Sequence, residues 1–522
     1  MSAKRSRREF LADVGRGTLI AALGSSTAAD LGLACAQADS PEPRLNFREL
    51  EGLVALMQET PVERLVAVVV DELKRGVELK RLVAAAALAN ARTFGGEDYV
   101  GFHTMMAMAP AFHMSRELPE ASRPLPVLKV LYRNSSRIQE SGGRSHEVLH
   151  PVTPAALSPG CTGGEALRER VRAKDLDAAE HAFATLAERG PEEAFNDLLF
   201  AVQDNTEVHR TVLPYRAWDL LTLIGLEHAH ALLRQSVHYC VKSERDWKHT
   251  PESDRPRVVL PKLLDQYHLV GKPLGTRQPD DAWVEHLSQV IFEGTADQAA
   301  EAAAAALAEG MAPDAVGEAI SLAANQLILR DAGRRPAEVQ PNKPVGSVHG
   351  DSIGVHACDS ANAWRNMAKV SNPRNTMACL ILGAYQVAND RVERGGDFLH
   401  WSSRPLAADL APVKERRPEA LLKQLTAAIR ANDQSQACAV VHQIGSLDQS
   451  PRAVFDLLLS YAVSEDGSLH AEKYYRTVTE EFAATRPAFR WRQLVALARV
   501  TASEYGRPAP GLADARERLG VA

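Results

Sequence analysis

Apolar residues recur at intervals of three and four along most of the chain, which is the spacing of amphipathic α-helices. Four segments share one pattern, in which a helix and a short break are followed by a second helix rich in leucine and alanine. These segments begin at Glu63, Asp177, Asp297 and Gln436. The chain has no strong run of alternating apolar and polar residues, so little β-structure is expected. We therefore predict an all-α fold of four repeated multi-helix units, a tandem duplication that forms a helical-repeat or toroid-like bundle.

The breaks inside the helix pairs carry a second regularity. Gly76, Gly190 and Gly310 occupy the break in the first three pairs, where the end of a helix favours a residue with left-handed backbone geometry. The fourth pair lacks this glycine and has Asp448 and Gln449 around the break. Each pair should therefore form two helices joined by a tight turn.

Polar, proline-containing connections suggest how the units are grouped. Residues 241–264 divide the chain into an N-terminal helical half, residues 45–245, and a C-terminal helical half, residues 265–510, with two units in each. A second long connection, residues 330–346, comes just before His349. A long loop beside a suspected site suits substrate access, although it is equally consistent with an exposed surface loop that has no role in access.

A histidine follows each helix pair at an equivalent place, where the next helix should open. These residues are His103, His209, His349 and His470. If the units pack around a common centre, the four imidazoles meet in one pocket. Neutral imidazole is a good ligand for iron, copper, zinc or nickel. The alternative is that these are ordinary core histidines, because helix starts tolerate histidine.

The N-terminus resembles a bacterial twin-arginine export signal. A basic stretch contains the run Ser6-Arg7-Arg8-Glu9-Phe10-Leu11, a weakly apolar region follows, and small residues around Ala36 and Ala38 suit cleavage. Residues 1–38 are therefore interpreted as a signal peptide, with the translocation machinery as a partner and a periplasmic or extracellular destination. Cys35 raises a lipoprotein alternative, although the residues before it fit a lipobox poorly.

Composition excludes several other classes of protein. The chain of 522 residues has 45% hydrophobic residues and a net charge of −6, so no basic surface suggests nucleic acid. No stretch after the signal has 18 uninterrupted apolar residues, so no membrane-spanning segment is expected in the mature protein. Five cysteines remain after cleavage, scattered and without a CxxC, which argues against a disulfide framework or a zinc–thiolate site.

Several short motifs resemble the questin oxidase-like family. The family's HGxxxxxHA run is matched by His349-Gly350 and His356-Ala357. Its histidine and lysine at the start of a later helix are matched in spacing by His470 and Lys473. Phe102-His103 and Val208-His209 resemble two further helix starts of the family, and the resemblance spans roughly residues 60 to 500.

The resemblance implies an oxidoreductase. The family's namesake opens an anthraquinone ring by a Baeyer–Villiger-type oxidation with NADPH as reductant. This chain has no dinucleotide-binding fingerprint of its own, so NADPH rests on the resemblance alone.

Together these observations predict an exported oxidoreductase that oxidises an aromatic or quinone-like small organic substrate with oxygen. The predicted catalytic residues are His349, His356, His470 and Lys473. The predicted ligands of a transition metal (iron, copper or zinc) are His103, His209, His349 and His470. In a metal-free version, histidines deprotonate a phenol and the phenolate reacts with oxygen directly. Two alternatives without turnover are a helical-repeat binding protein and a metal-binding protein.

Overall fold

The apolar periodicity is realised as helices throughout the part of the chain that the computed structural model describes, residues 44–157, 160–341, 343–393 and 395–521. These ranges contain 23 α-helices and no strand, and helix accounts for 70% of the structure, so the predicted all-α class is confirmed. Residues Asn46–Ala522 pack as one unit. The proposed signal peptide, including Cys35, lies outside the described residues.

The first eleven α-helices of the described ranges span the N-terminal half and the connection that follows it. They are α1 (Glu51–Glu59), α2 (Val62–Lys74), α3 (Leu79–Phe94), α4 (Tyr99–Glu117), α5 (Leu125–Glu140), α6 (Gly163–Arg172), α7 (Leu176–Ala187), α8 (Pro191–Val202), α9 (Val208–Ile224), α10 (Ala229–Asp246) and α11 (Arg255–Gln266).

The C-terminal half contributes the other twelve of the described α-helices. They are α12 (Asp281–Glu293), α13 (Ala296–Ala308), α14 (Pro313–Arg330), α15 (Ile353–Val370), α16 (Pro373–Glu393), α17 (Ala407–Leu410), α18 (Pro418–Arg430), α19 (Gln434–Ser446), α20 (Arg452–Ser464), α21 (His470–Ala484), α22 (Trp491–Glu504) and α23 (Leu512–Leu519). Short 3₁₀ turns lie at Arg48–Leu50, Glu120–Ser122, Gly143–Ser145, Leu226–His228 and Pro336–Glu338.

The four predicted helix pairs are present, each followed by two further helices. The pairs are α2–α3, α7–α8, α13–α14 and α19–α20. Gly76, Gly190 and Gly310 have φ of 93°, 119° and 83°, and Asp448 takes the same role in the fourth pair with φ of 51°. The predicted left-handed breaks are therefore confirmed. The repeat relation between the four units stays a prediction.

One helix from each unit lies at the centre, and these four helices form a closed ring. α4 packs against α9, α9 against α15, α15 against α21, and α21 against α4. Almost every side chain of α4 is buried, including Met105, Met108 and Met114, because neighbours cover it on all sides. The two predicted halves therefore meet in the ring, with two central helices from each.

Buried polar contacts fix the ring helices relative to one another. Arg365 of α15 donates to Glu481 of α21 at 2.6 Å, and Asn362 donates to the same carboxylate at 2.8 Å. Arg216 of α9 donates to Thr477 of α21 at 3.2 Å. A buried charge is stable only when it is paired and hydrogen-bonded, so these contacts favour one arrangement of the helices.

Two expectations from composition can be compared with the described ranges. None of the helices there is both long and apolar enough to cross a membrane. The five cysteines after residue 38 are all described, and Cys240, Cys358, Cys379 and Cys438 are buried free thiols.

Candidate functional site

The central ring brings four histidines together, one from each of its helices. His470 is the first residue of α21 and His209 the second residue of α9. His356 is the fourth residue of α15 and His103 the fifth residue of α4. All four therefore lie within the first two turns of a helix. These residues are called the histidine tetrad below.

The rings of the tetrad are in contact around a closed circuit. The Nε2 atoms of His103 and His209 are 3.2 Å apart, and those of His356 and His470 are 3.3 Å apart. The two pairs are joined by ring-centroid distances of 5.4 Å between His103 and His470 and 6.1 Å between His209 and His356. Two imidazole pairs thus face one another across a small space.

The structure brings three of the four predicted metal ligands together and puts His356 in the fourth place. His349 does not open a helix, because α15 begins only at Ile353 with Ser352 as its N-cap. The repeat pattern made His349 the equivalent of His103, but in the structure His356 of α15 joins His103 in the tetrad. His349 is buried beside the tetrad, where its Nε2 accepts a hydrogen bond from Arg507 at 3.2 Å.

Two members of the tetrad have their Nδ1 proton committed elsewhere. His103 Nδ1 donates to the carbonyl oxygen of Tyr99 at 2.7 Å, and His209 Nδ1 donates to the carboxylate of Glu207 at 2.5 Å. Neither acceptor has a proton to give, so in the neutral state both Nε2 atoms carry lone pairs. Two facing lone pairs 3.2 Å apart repel, and a proton or a metal cation between them would remove the repulsion.

The electrostatic surroundings favour the neutral form of His103 and His470. Burial, and after it the charge of Lys473, holds the pKa of His103 and of His470 well below the ordinary value. Burial alone would raise the pKa of Glu207, but His209 and Tyr239 lower it to about 2. Glu207 is therefore ionised and orients His209, as carboxylates do for metal-binding histidines.

Lys473, a predicted catalytic residue, is placed beside the tetrad. It is 3% exposed on α21, one turn after His470. Burial lowers its pKa to about 8, and the nearby carboxylate of Asp359 opposes that effect. Its charge lowers the pKa of both His103 and His470. The ammonium group therefore lies close enough to interact electrostatically with a ligand bound between the imidazoles.

The type of donor and the spacing within each histidine pair fit a metal site, but the four rings together are not arranged around one ion. Metal–imidazole bonds of about 2.0–2.1 Å put two tetrahedral ligand nitrogens about 3.3 Å apart, which is the spacing within each pair. Within the described ranges, however, no group of three or more His, Cys, Asp or Glu side chains has the geometry to hold a metal ion. The tetrad as it stands is two pairs, and one ion shared by all four requires the pairs to close on each other.

Cavities reach the tetrad from two directions. One of about 290 Å³ is lined by His103 and His470, and another of about 530 Å³ is lined by His209 and His356. Tyr99 lines both. A small molecule or ion can therefore approach the imidazoles from either side.

The long connection at 330–346 lines a third cavity, of about 330 Å³. His349 and Asp351 are in the wall of this cavity and also in that of the 290 Å³ cavity. The loop thus lies next to the site, as the sequence suggested. Its role in substrate access stays a prediction.

Sequence reasoning missed three polar residues at the site. Glu207 stands two positions before His209, and this short spacing was the available signal. Glu504 and Arg507 come from the end of α22 and the segment after it, and no motif marks them. Burial raises the pKa of Glu504 to about 7, and its carboxylate accepts the Gly350 N–H at 2.8 Å.

Comparisons with family models, with curated proteins and with solved structures find no match to this chain.

Proposed function

We propose that this chain is an oxidoreductase that uses oxygen to oxidise a small aromatic or quinone-like substrate at a transition-metal ion held by the histidine tetrad. The observation that carries the proposal is the 3.2 Å contact between the Nε2 atoms of His103 and His209, whose Nδ1 atoms are engaged by the Tyr99 carbonyl and by Glu207. A cation between them removes the repulsion. His356 and His470 add two more nitrogens within contact distance.

A metal ion satisfies the four imidazoles better than a proton does. A proton can bridge only one pair, and burial together with Lys473 already opposes protonation of His103 and His470. Neutral imidazole is the form that binds metals. Imidazole suits iron, copper and zinc, and of these only iron and copper exchange electrons with oxygen. We therefore propose iron or copper for the oxidase.

The other residues of the site have separate tasks in this proposal. Glu207 and the Tyr99 carbonyl hold two imidazoles in the orientation that directs Nε2 inward. The Lys473 ammonium stabilises negative charge on a substrate oxygen beside the tetrad. The bound ion supplies the redox chemistry with oxygen. NADPH, which only the family resemblance implies, is not needed for this proposal.

A metal-free version of the same site is the second candidate. It is favoured by the division of the tetrad into two pairs without three-ligand geometry. In that version one imidazole removes the proton of a phenol and the phenolate reacts with oxygen directly. An extended solenoid of binding repeats would spread the histidines apart, and the contact between His103, His209 and His470 argues against it.

Export through the twin-arginine route remains part of the proposal. It rests on the sequence of residues 1–38 alone. That route carries folded proteins, often with the cofactor already in place. An exported oxidase with a bound metal ion is consistent with it.

Elemental analysis of the mature protein, purified without a histidine tag, tests the proposed function. We expect about one equivalent of iron or copper, and oxygen uptake with quinols or phenols that a chelator abolishes and the metal restores. Oxygen uptake by metal-free protein, unchanged by chelation, would favour the acid–base version. Metal binding without oxygen uptake would instead indicate a binding protein.

Glu207→Gln tests the orienting role of the carboxylate. The amide keeps the size of the side chain but loses the charge that fixes the Nδ1 proton of His209. We expect metal affinity to fall about 10- to 100-fold, measured by competition with a chelator. Tyr239→Phe is the matched control, because it removes one hydrogen bond to Glu207 and leaves the carboxylate in place. Equal affinities for Glu207→Gln and the unchanged protein would contradict this role.

A further inference from the structure

The 290 Å³ cavity on the His103–His470 side of the tetrad has an excess of positive charge. Arg133, Lys343 and Arg507 line it, together with the neutral His349. We call it the Arg507 cavity. Two of its cations are paired with carboxylates, since Lys343 donates to Asp351 at 2.7 Å and Arg133 pairs with Asp466. Asp351 is also bound by Arg334 at 2.6 Å, so its charge is fully engaged.

Arg507 is the cation of this cavity that lacks a carboxylate. Its guanidinium forms no ion pair with any carboxylate of the described chain, and its side-chain hydrogen bond goes to the Nε2 of His349. The charge of Arg507 lowers the pKa of the nearby Glu504 carboxyl, but burial outweighs this effect and raises that pKa to about 7. It therefore offers only part of a counter-charge near neutral pH.

The contact with Arg507 fixes the tautomer of His349. A guanidinium only donates hydrogen bonds, so Nε2 must be the acceptor and the proton of the neutral ring lies on Nδ1. Burial, with Arg507 next, lowers the pKa of His349 to about 3, so the ring stays neutral. His349 is 1% exposed, and its Nδ1 has no hydrogen-bond partner. A buried donor without an acceptor costs free energy.

We propose that the Arg507 cavity is a binding subsite for the anionic oxygen group of a small organic acid, a carboxylate or a phenolate. Arg507 supplies the charge, and the ring of His349, whose Nε2 accepts a hydrogen bond from Arg507, holds the guanidinium at this wall. A molecule anchored there extends toward His103 and His470, which line the same space. His349 thus acts as a positioning residue outside the tetrad.

The assignment of this anion as the substrate rests on the proposed function, whereas the binding itself does not. Benzoate and its neutral isostere benzamide probe the carboxylate, and 4-nitrophenolate and nitrobenzene probe the phenolate. Affinities are measured by calorimetry on the full chain, with the metal content of each preparation determined in parallel.

We expect at least one anion to bind about tenfold or more tightly than its neutral partner, because hydrogen bonds to charged groups contribute about that much. In Arg507→Gln this preference should fall to near unity, and Arg507→Lys should keep part of it. Arg518→Gln is the matched control, because Arg518 is exposed and pairs within α23. The thermal unfolding midpoint of each variant shows whether it is folded.

Equal binding of anion and neutral partner, or an anion preference that survives in folded Arg507→Gln, would overturn the subsite. Tetrad-bound metal together with oxygen uptake in the same preparation would show that the proposed function stands without the subsite. An Arg507-dependent anion preference in protein that takes up no metal would support the subsite and count against the metal-dependent function.

Discussion

His103→Ala combined with His356→Ala is expected to reduce bound metal from about one equivalent to less than a tenth. The double substitution removes one nitrogen from each pair of the tetrad. His209 and His470 remain, and two imidazoles are fewer than the three or four protein ligands of known structural and catalytic zinc sites. Oxygen uptake should fall at least about 100-fold, since second-shell changes alone already cost 10- to 100-fold. Elemental analysis and an oxygen electrode measure both effects.

His349→Ala is the matched control for this result, because it removes a buried histidine that lies beside the tetrad and not in it. It should keep the metal, leave helix content by circular dichroism unchanged and lose activity through substrate positioning. The complementary double variant, His209→Ala with His470→Ala, also removes one nitrogen from each pair and should behave like the first. Full metal content in either tetrad double variant would disprove the assignment, and so would loss of metal in folded His349→Ala.

Gly350→Ala is expected to disturb the tetrad without touching a ligand. A Cβ atom at Gly350 would lie 2.3 Å from the Cβ of His470 and 2.9 Å from a carboxylate oxygen of Glu504. The Cβ of His470 is bonded to the backbone, so no rotamer change relieves the overlap. The start of α21 must shift instead. We expect metal affinity to fall at least tenfold and stability to fall by about 1–3 kcal/mol, measured by chelator competition and denaturant unfolding.

Gly52→Ala provides the comparison for this substitution. Gly52 is exposed on α1, and a Cβ there meets nothing within 4 Å. Its stability should be unchanged or slightly higher, because alanine is the better helix former. If Gly350→Ala binds metal as tightly as Gly52→Ala, His470 is not held against Gly350 in the way described here.

The helices and their breaks could be predicted from the sequence because they depend on local spacing. Apolar periodicity recurs in each unit, a glycine separates the helices of the first three pairs, and all four pairs form. His103, His209 and His470 could be predicted as partners for the same reason. His356 was harder to assign, because His349, seven residues earlier, also follows the third helix pair and fits the pattern of the four units. Ser352 as a helix N-cap was the local signal that separates them.

The remaining parts of the site depend on packing between distant segments. Glu504 reaches Gly350 across 154 residues of chain, and Arg507 reaches His349 across 158. No local pattern marks a glutamate or an arginine near the end of a helix as part of a distant pocket. The tautomer of each histidine likewise follows from a neighbour, such as Glu207, and can be assigned only when the contact is known.

The closed ring has a consequence for the order in which the protein is assembled. The tetrad takes its members from position 103 to position 470, and the ring closes only where α21 meets α4. During synthesis no partial chain that ends before position 470 can present all four imidazoles. Closing so long a loop is entropically costly and slow, and an ion shared by the first and last quarters would hold the two ends of the chain together. Metal capture would thus be a late event that marks a completed fold.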